Sequence, residues 1–182
     1  LKWGAPLETV VYSEGLDGPE LPPEVRTVRV PEDVMASISP WSPPGALFLC
    51  RMWDTAPPPC LEGGRYLVLD GLQDPGNVGT IWRTADALEA DGLLLVHGCA
   101  DPFGPKVVRA TMGACFRLPV WETGPERLAG LLERSGLALY ATALREDTED
   151  IENGGPEPVR VVIGSEGRGV SPELLAMSQR AL

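Results

Sequence analysis

Residues 65–96 read RYLVLDGLQDPGNVGTIWRTADALEADGLLLV, and this stretch decides the architecture. An apolar run, Tyr66–Leu69, is followed by Asp70-Gly71 and a polar loop. A helical pattern then spans Val78–Leu88, with Ile81, Ala85 and Leu88 on one stripe, and a second run, Gly92–Val96, follows. Gly92–Val96 has no polar alternation, so it suits a strand covered on both faces. Strand, helix and buried strand within about 30 residues make a βαβ unit, which implies a parallel sheet.

The same alternation continues downstream. The sequence predicts a helix over Pro105–Met112, a short strand over Phe116–Val120 and a helix over Thr123–Ser135. Thr123 is the expected cap of that last helix, Pro125 an early helical position, and Leu128, Leu131 and Leu132 its apolar stripe. Leu137–Ala143 and Arg160–Ile163 read as two more buried strands, and Ser171-Pro172 as the start of a final helix. The expected fold is α/β, with a mostly parallel sheet and helices on both faces. Upstream, Leu7–Tyr12 and Ala46–Arg51 read as strands and Pro31–Ile38 as a short helix. Residues 1–53 are thus expected to form a small α/β domain and 54–64, rich in Pro and Gly, a linker. Residues 65–182 would form the main domain.

Composition sets bounds. An apolar fraction of 43% in 182 residues supports a real core. No apolar run approaches the roughly 18 residues of a membrane span. A net charge of −11, taken alone, argues against a nucleic-acid partner, yet 13 of the 15 basic residues are arginines, the better residue for fixed phosphate contacts, and a local patch can sit on an acidic protein. Cys50, Cys60, Cys99 and Cys115 form no C-x-x-C pair, and His97 is the only histidine, so no metal site is expected. The cysteines read as thiols of a reducing, cytoplasmic setting.

Ligands of such sheets sit beyond the carboxyl ends of the strands. The loop after Tyr66–Leu69 has the glycine spacing of a phosphate loop at Gly71 and Gly76, but Asn77 and Val78 replace its lysine and hydroxyl. What remains there is Asn77, Gly79 and Arg83, the last two about 400° apart and therefore near one helix face. They read either as a cap and a surface arginine or as part of a site at the loop mouth. The loop 164–171, GSEGRGVS, holds Glu166 among three glycines that allow close approach to backbone. Thr142-Ala143-Leu144 ends another strand and can line a pocket. Lys106 and Arg109 share a helical face and, with Arg83 and Arg117, form a candidate cationic patch.

Together these segments resemble the SpoU/TrmH family of SPOUT methyltransferases. LVLDGLQDPGNVGTIWRTADALEADGLLL is similar to the family's first motif, KVVRATMGACFRLPV to the stretch after it, and VVIGSEGRGVSPELL to the second motif. The match covers residues 65–178. The resemblance implies a trefoil-knot fold, a homodimer with sites near the subunit interface, S-adenosylmethionine as cofactor and an RNA ribose 2′-hydroxyl as acceptor. Ribosomal RNA of the large subunit is favoured over tRNA. Arg83, Asn77 and Glu166 take the catalytic positions. Thr142, Ala143, Leu144, Ile163, Gly164 and Gly167 line the cofactor, and Arg83, Lys106, Arg109 and Arg117 contact RNA. The family's third motif, which threads the knot, should begin just after Arg180. The sequence is therefore expected to be incomplete at both ends and to bind cofactor poorly as it stands. The competing expectation is a non-catalytic RNA-binding or ribosome-assembly protein on the same fold.

Overall fold

A computed structural model describes residues 5–39, 45–62, 64–143, 148 and 160–182. The chain divides into two compact units, Leu1–Trp53 and Asp54–Leu182. In the first, β1 (Leu7–Ser13) is the central strand of three. β2 (Arg26–Val30) pairs with it in parallel, and β3 (Ala46–Cys50) in antiparallel. Between β2 and β3 lies α1 (Glu32–Ile38), whose Met35 is fully buried, as is Val10 of β1. β2 is an addition to the expected strands. Its RTVRV alternation keeps one edge polar, and Arg29 from it donates to Leu16 O at 2.7 Å.

The second unit is built on β4 (Tyr66–Asp70), α2 (Pro75–Ala87), β5 (Gly92–Val96), α3 (Pro105–Ala110), β6 (Val120–Glu122), α4 (Pro125–Ser135), β7 (Tyr140–Ala141), β8 (Arg160–Gly164), α5 (Pro172–Met177) and β9 (Arg180–Ala181). The strands form one sheet in the order β6-β5-β4-β8-β7-β9, and every neighbouring pair is parallel. Side chains alternate across it. Val68, Leu94, Val96, Ala141 and Val162 pack with Leu128, Leu131 and Leu132 of α4 and Leu174 of α5. Leu69, Leu93 and Leu95, also buried, project from the opposite face. The sheet is thus parallel and covered on both sides, as expected.

Several local expectations need correction. The helix expected at Val78 begins at Pro75, because Asp74 caps it by accepting from Asn77 N at 2.8 Å. Its buried face is Val78, Gly79, Trp82 and Ala85, while Leu88 is 68% exposed. The rotation follows from Gly79, where an added Cβ would lie 2.5 Å from Ala110 Cβ and 2.7 Å from Val107 O. Only glycine lets α2 and α3 approach so closely. The strand expected at Phe116–Val120 is a 3-10 turn, Ala114–Phe116, with the strand starting at Val120. Gly113 in the left-handed region (φ 87°) makes that turn. Thr123 does not cap α4. Its N–H donates to Leu95 O at 2.9 Å, so the chain is still held to the sheet there and Gly124 is the cap position. The strand expected over Leu137–Ala143 is confined to Tyr140–Ala141, since Leu137 N is spent on Leu132 O at the end of α4. Met112 lies beyond α3, at positive φ.

Burial raises the Tyr66 hydroxyl above its ordinary pKa, with Asp91 adding to the effect, and burial likewise raises the thiols of Cys99 and Cys115. Above the ordinary thiol and phenol range the unfolded chain loses these protons while the folded chain keeps them. The unfolded state then binds fewer protons, so stability falls with pH. We expect the melting temperature to hold up to about pH 8 and to fall steadily from there to about pH 10.5. A calorimetric series that stays flat over that window would contradict the assignment.

Candidate functional site at the carboxyl ends of the strands

The register of the central strands sets Asp70 level with Val96 on one side and Gly164 on the other. Three strands therefore finish together, and their following loops share one edge of the sheet. The loop after β8 is tightly folded. Ser165 N donates to Gly169 O at 3.1 Å and Gly169 N to Ser165 O at 2.8 Å, with Gly169 at φ 69°. This turn brings the backbone of Gly169 and Val170 into the space a Cβ on Gly164 would occupy. The glycine at 164 is thus needed by the loop's own return.

Asn77, in the first turn of α2, donates through Nδ2 to Glu166 Oε1 and so ties the β4 and β8 loops together. Asp70 makes a second tie. Its carboxylate is 3% exposed; Oδ2 accepts from Ser171 N at 2.6 Å, and Oδ1 meets His97 Nδ1 at 2.7 Å. Asp70, His97, Ser165, Arg168, Ser171 and Glu173 line a cleft of about 330 Å³. Ser171 Oγ is buried there without a hydrogen-bond partner among the described residues. The Cys99 thiol lies close by, donating to Leu69 O and Val96 O, and burial holds it protonated, so it is no nucleophile.

The structure therefore joins Asn77, Gly164 and Glu166, and adds Asp70, Asp74, His97 and Arg168, which the sequence reading passed over. The signal was present for two of them. Asp70 is a carboxylate closing the apolar run YLVL, and His97 follows GLLLV, one position beyond the register partner of Asp70 on the next strand.

Arg83 is not part of this cluster by any described contact. It is exposed and has no hydrogen bond or ion pair among the described residues. It lies six residues beyond Asn77, about 9 Å along the helix and about 240° around it. Gly79 is buried against α3, so it does not look toward the loop mouth with Arg83. Lys106 and Arg109 are exposed on α3. Arg117 is forked onto Asp86, with Nε 2.9 Å from Oδ2, and that bond raises its pKa and fixes its charge. Thr142 donates through both N and Oγ1 to Val162 O. Ala143 N donates to Leu182 O at 3.2 Å. Ile163 is half-buried at the end of β8, Gly167 is exposed at the loop tip, and Leu144 lies outside the described residues.

Residues 64–182 match the SpoU rRNA Methylase family. An uncharacterized tRNA/rRNA methyltransferase of Synechocystis is 36% identical over 146 residues, covering 79% of this chain and 52% of that protein. A 23S rRNA (guanosine(2553)-2′-O)-methyltransferase of Bacillus subtilis is 37% identical over 111 residues, 61% of this chain and 45% of that protein. The chain thus spans about half the length of the curated relatives it matches. The crystal structure of an AdoMet-bound rRNA methyltransferase from Sinorhizobium meliloti superposes with a TM-score of 0.83 at 28% identity, over 99% of this chain and 71% of that one. With the motif loops meeting at one sheet edge and the family match spanning all of the second unit but its first ten residues, the chain belongs to the SpoU rRNA methylase family.

Proposed function

We propose that this protein methylates a ribose 2′-hydroxyl of RNA with S-adenosylmethionine, and that its substrate is 23S ribosomal RNA in preference to tRNA. The observation that carries the reading is the Asn77–Glu166 bond, which joins the family's two motif loops at the carboxyl ends of β4 and β8. The Bacillus relative, a 2′-O-methyltransferase of 23S rRNA, supports the choice of acceptor and of RNA. The AdoMet-bound neighbour supports the cofactor.

The residues present fit that cofactor. The loop after β8 leaves residues Glu166–Gly169 exposed, half-buried Ile163 precedes it, and Ser171 Oγ keeps an unfilled hydrogen-bonding position among the described residues. Thr142, Ala143, Leu144, Ile163, Gly164 and Gly167 would hold the group, which supplies an electrophilic methyl when bound. Asn77 and Glu166 would fix the two loops and orient the sugar. Arg83 stays protonated, so it would act as a cation that stabilises developing negative charge on the sugar oxygen. Lys106, Arg109 and Arg117 would meet phosphates beside it, and the first unit would dock RNA by shape and 2′-hydroxyl contacts. Arg83 stands apart from the Asn77–Glu166 pair, which is consistent with a homodimer that completes the site. No described helix is long and apolar enough to cross a membrane, and the proposed place of action is the cytoplasm.

The test is methyl transfer from labelled S-adenosylmethionine to 23S rRNA transcripts by the full-length protein. Arg83→Ala is expected to lower kcat by about 100-fold, the scale of one preorganised charge-stabilising donor. Cofactor affinity should stay within about twofold. Transfer at the wild-type rate by Arg83→Ala would refute the role of Arg83. Wild-type protein that binds RNA yet transfers no methyl would favour the non-catalytic alternative.

A further inference from the structure

Methylating a hydroxyl releases a proton, and the residues given catalytic roles above offer it no acceptor. Arg83 does not deprotonate, and Glu166 is engaged by Asn77. His97 is different. It stands at φ 56°, in the left-handed region where a residue with a Cβ is strained, and Gly98 follows at φ 68°. These two residues turn the chain at the end of β5 and lay the imidazole against Asp70. The Asp70 carboxylate can only accept, and one of its oxygens already takes Ser171 N–H. The proton in the 2.7 Å contact therefore belongs to His97 Nδ1. In the neutral ring this leaves the lone pair on Nε2, at the far side from Asp70. The side chain is 33% exposed, lines the cleft, and Nε2 has no partner among the described residues. Arg168 and Glu173, of opposite charge, line the same cleft from the β8–α5 loop and from α5, while Glu166 of that loop is tied to Asn77.

We infer that His97, oriented by Asp70, accepts the proton of the ribose 2′-hydroxyl, an inference that rests on the ribose methylation proposed above. The 2′-oxygen forms its bond to the methyl carbon as the carbon–sulfur bond breaks, with that electron pair left on sulfur. The hydroxyl proton passes to Nε2, so one positive charge moves from sulfonium to an imidazolium paired with Asp70. The arrangement of carboxylate, imidazole and hydroxyl follows the logic of a triad base without a covalent nucleophile.

The experiment uses the full-length protein. His97→Gln is expected to lower kcat about 100-fold with the RNA KM unchanged within about twofold, and to remove the acid limb of the pH–rate profile. Imidazole in the buffer should restore part of the rate to His97→Ala. A readout independent of turnover is the nitrogen NMR signal of His97, identified by its absence from His97→Gln. It should report the Nδ1–H tautomer in the wild type, lose that preference in Asp70→Asn, and shift with the 23S transcript more than with its 2′-deoxy copy. Wild-type turnover by His97→Gln, or an Nε2–H tautomer in the wild type, would overturn the role of His97 alone. A wild-type protein without methyl transfer would overturn the methylation reading and this role with it.

Discussion

Gly164→Ala is expected to lose at least tenfold in methyl transfer and about 1–3 kcal/mol of stability, the range for forcing an extra methyl into a packed site. The added Cβ would fall on the backbone of Gly169 and Val170, which has no rotamer by which to step aside. Relief requires the whole β8–α5 turn to move. That movement pulls on the two Ser165–Gly169 hydrogen bonds, on buried Val170, and on the Ser171 N–H that Asp70 accepts. Glu166 sits on the same turn, so its bond to Asn77 shifts as well. Gly167→Ala is the control. No atom lies within 4 Å of its Cβ position, and its φ is outside the left-handed region, so a change within about 0.5 kcal/mol is expected. Thermal melts on the two variants, with a transfer assay on Gly164→Ala, check this directly. Equal melting of the two would mean that the turn is loose and that close packing at Gly164 has no part in the site.

That contrast also marks how far the sequence could be read. Periodicity revealed the parallel sheet because Gly92–Val96 and Arg160–Ile163 are short apolar runs between helical patterns. The two motif loops stood out because strand ends carry ligand sites in such sheets. Within the loop GSEGRGVS, however, the three glycines are equivalent as letters. Only the fold separates one that a neighbouring backbone occupies, one that turns left-handed and one that is merely exposed. Asp70 and His97 escaped for a similar reason. They are 27 positions apart, and their contact depends on β4 and β5 ending in register. The sequence reading sought histidine and cysteine in metal-like groups, so an isolated histidine beside an isolated aspartate gave it nothing. Arg83 shows the reverse. Its helical spacing from Gly79 was correct, but which face of α2 meets the protein was decided by Gly79 and Trp82 packing inward.

Trp82→Ala is expected to be the most destabilising single substitution considered, at about 3–5 kcal/mol. The indole is fully buried on α2, and its Nε1 donates to Leu118 O at 3.0 Å. Truncation leaves a cavity beneath the helix and an acceptor without its donor, two separate costs. The consequence should reach the site, because α2 carries Asn77 in its first turn and the tie to Glu166 depends on where that turn sits. Trp82→Phe separates the two costs. It keeps an aromatic ring and removes the N–H, so a smaller loss of roughly 1–3 kcal/mol is expected. Denaturant unfolding of the three proteins would resolve the difference. If Trp82→Ala unfolds at the wild-type midpoint, α2 is not anchored through its indole. The placement of Asn77 would then have to come from Asp74 capping and the Gly79 contact with α3 alone.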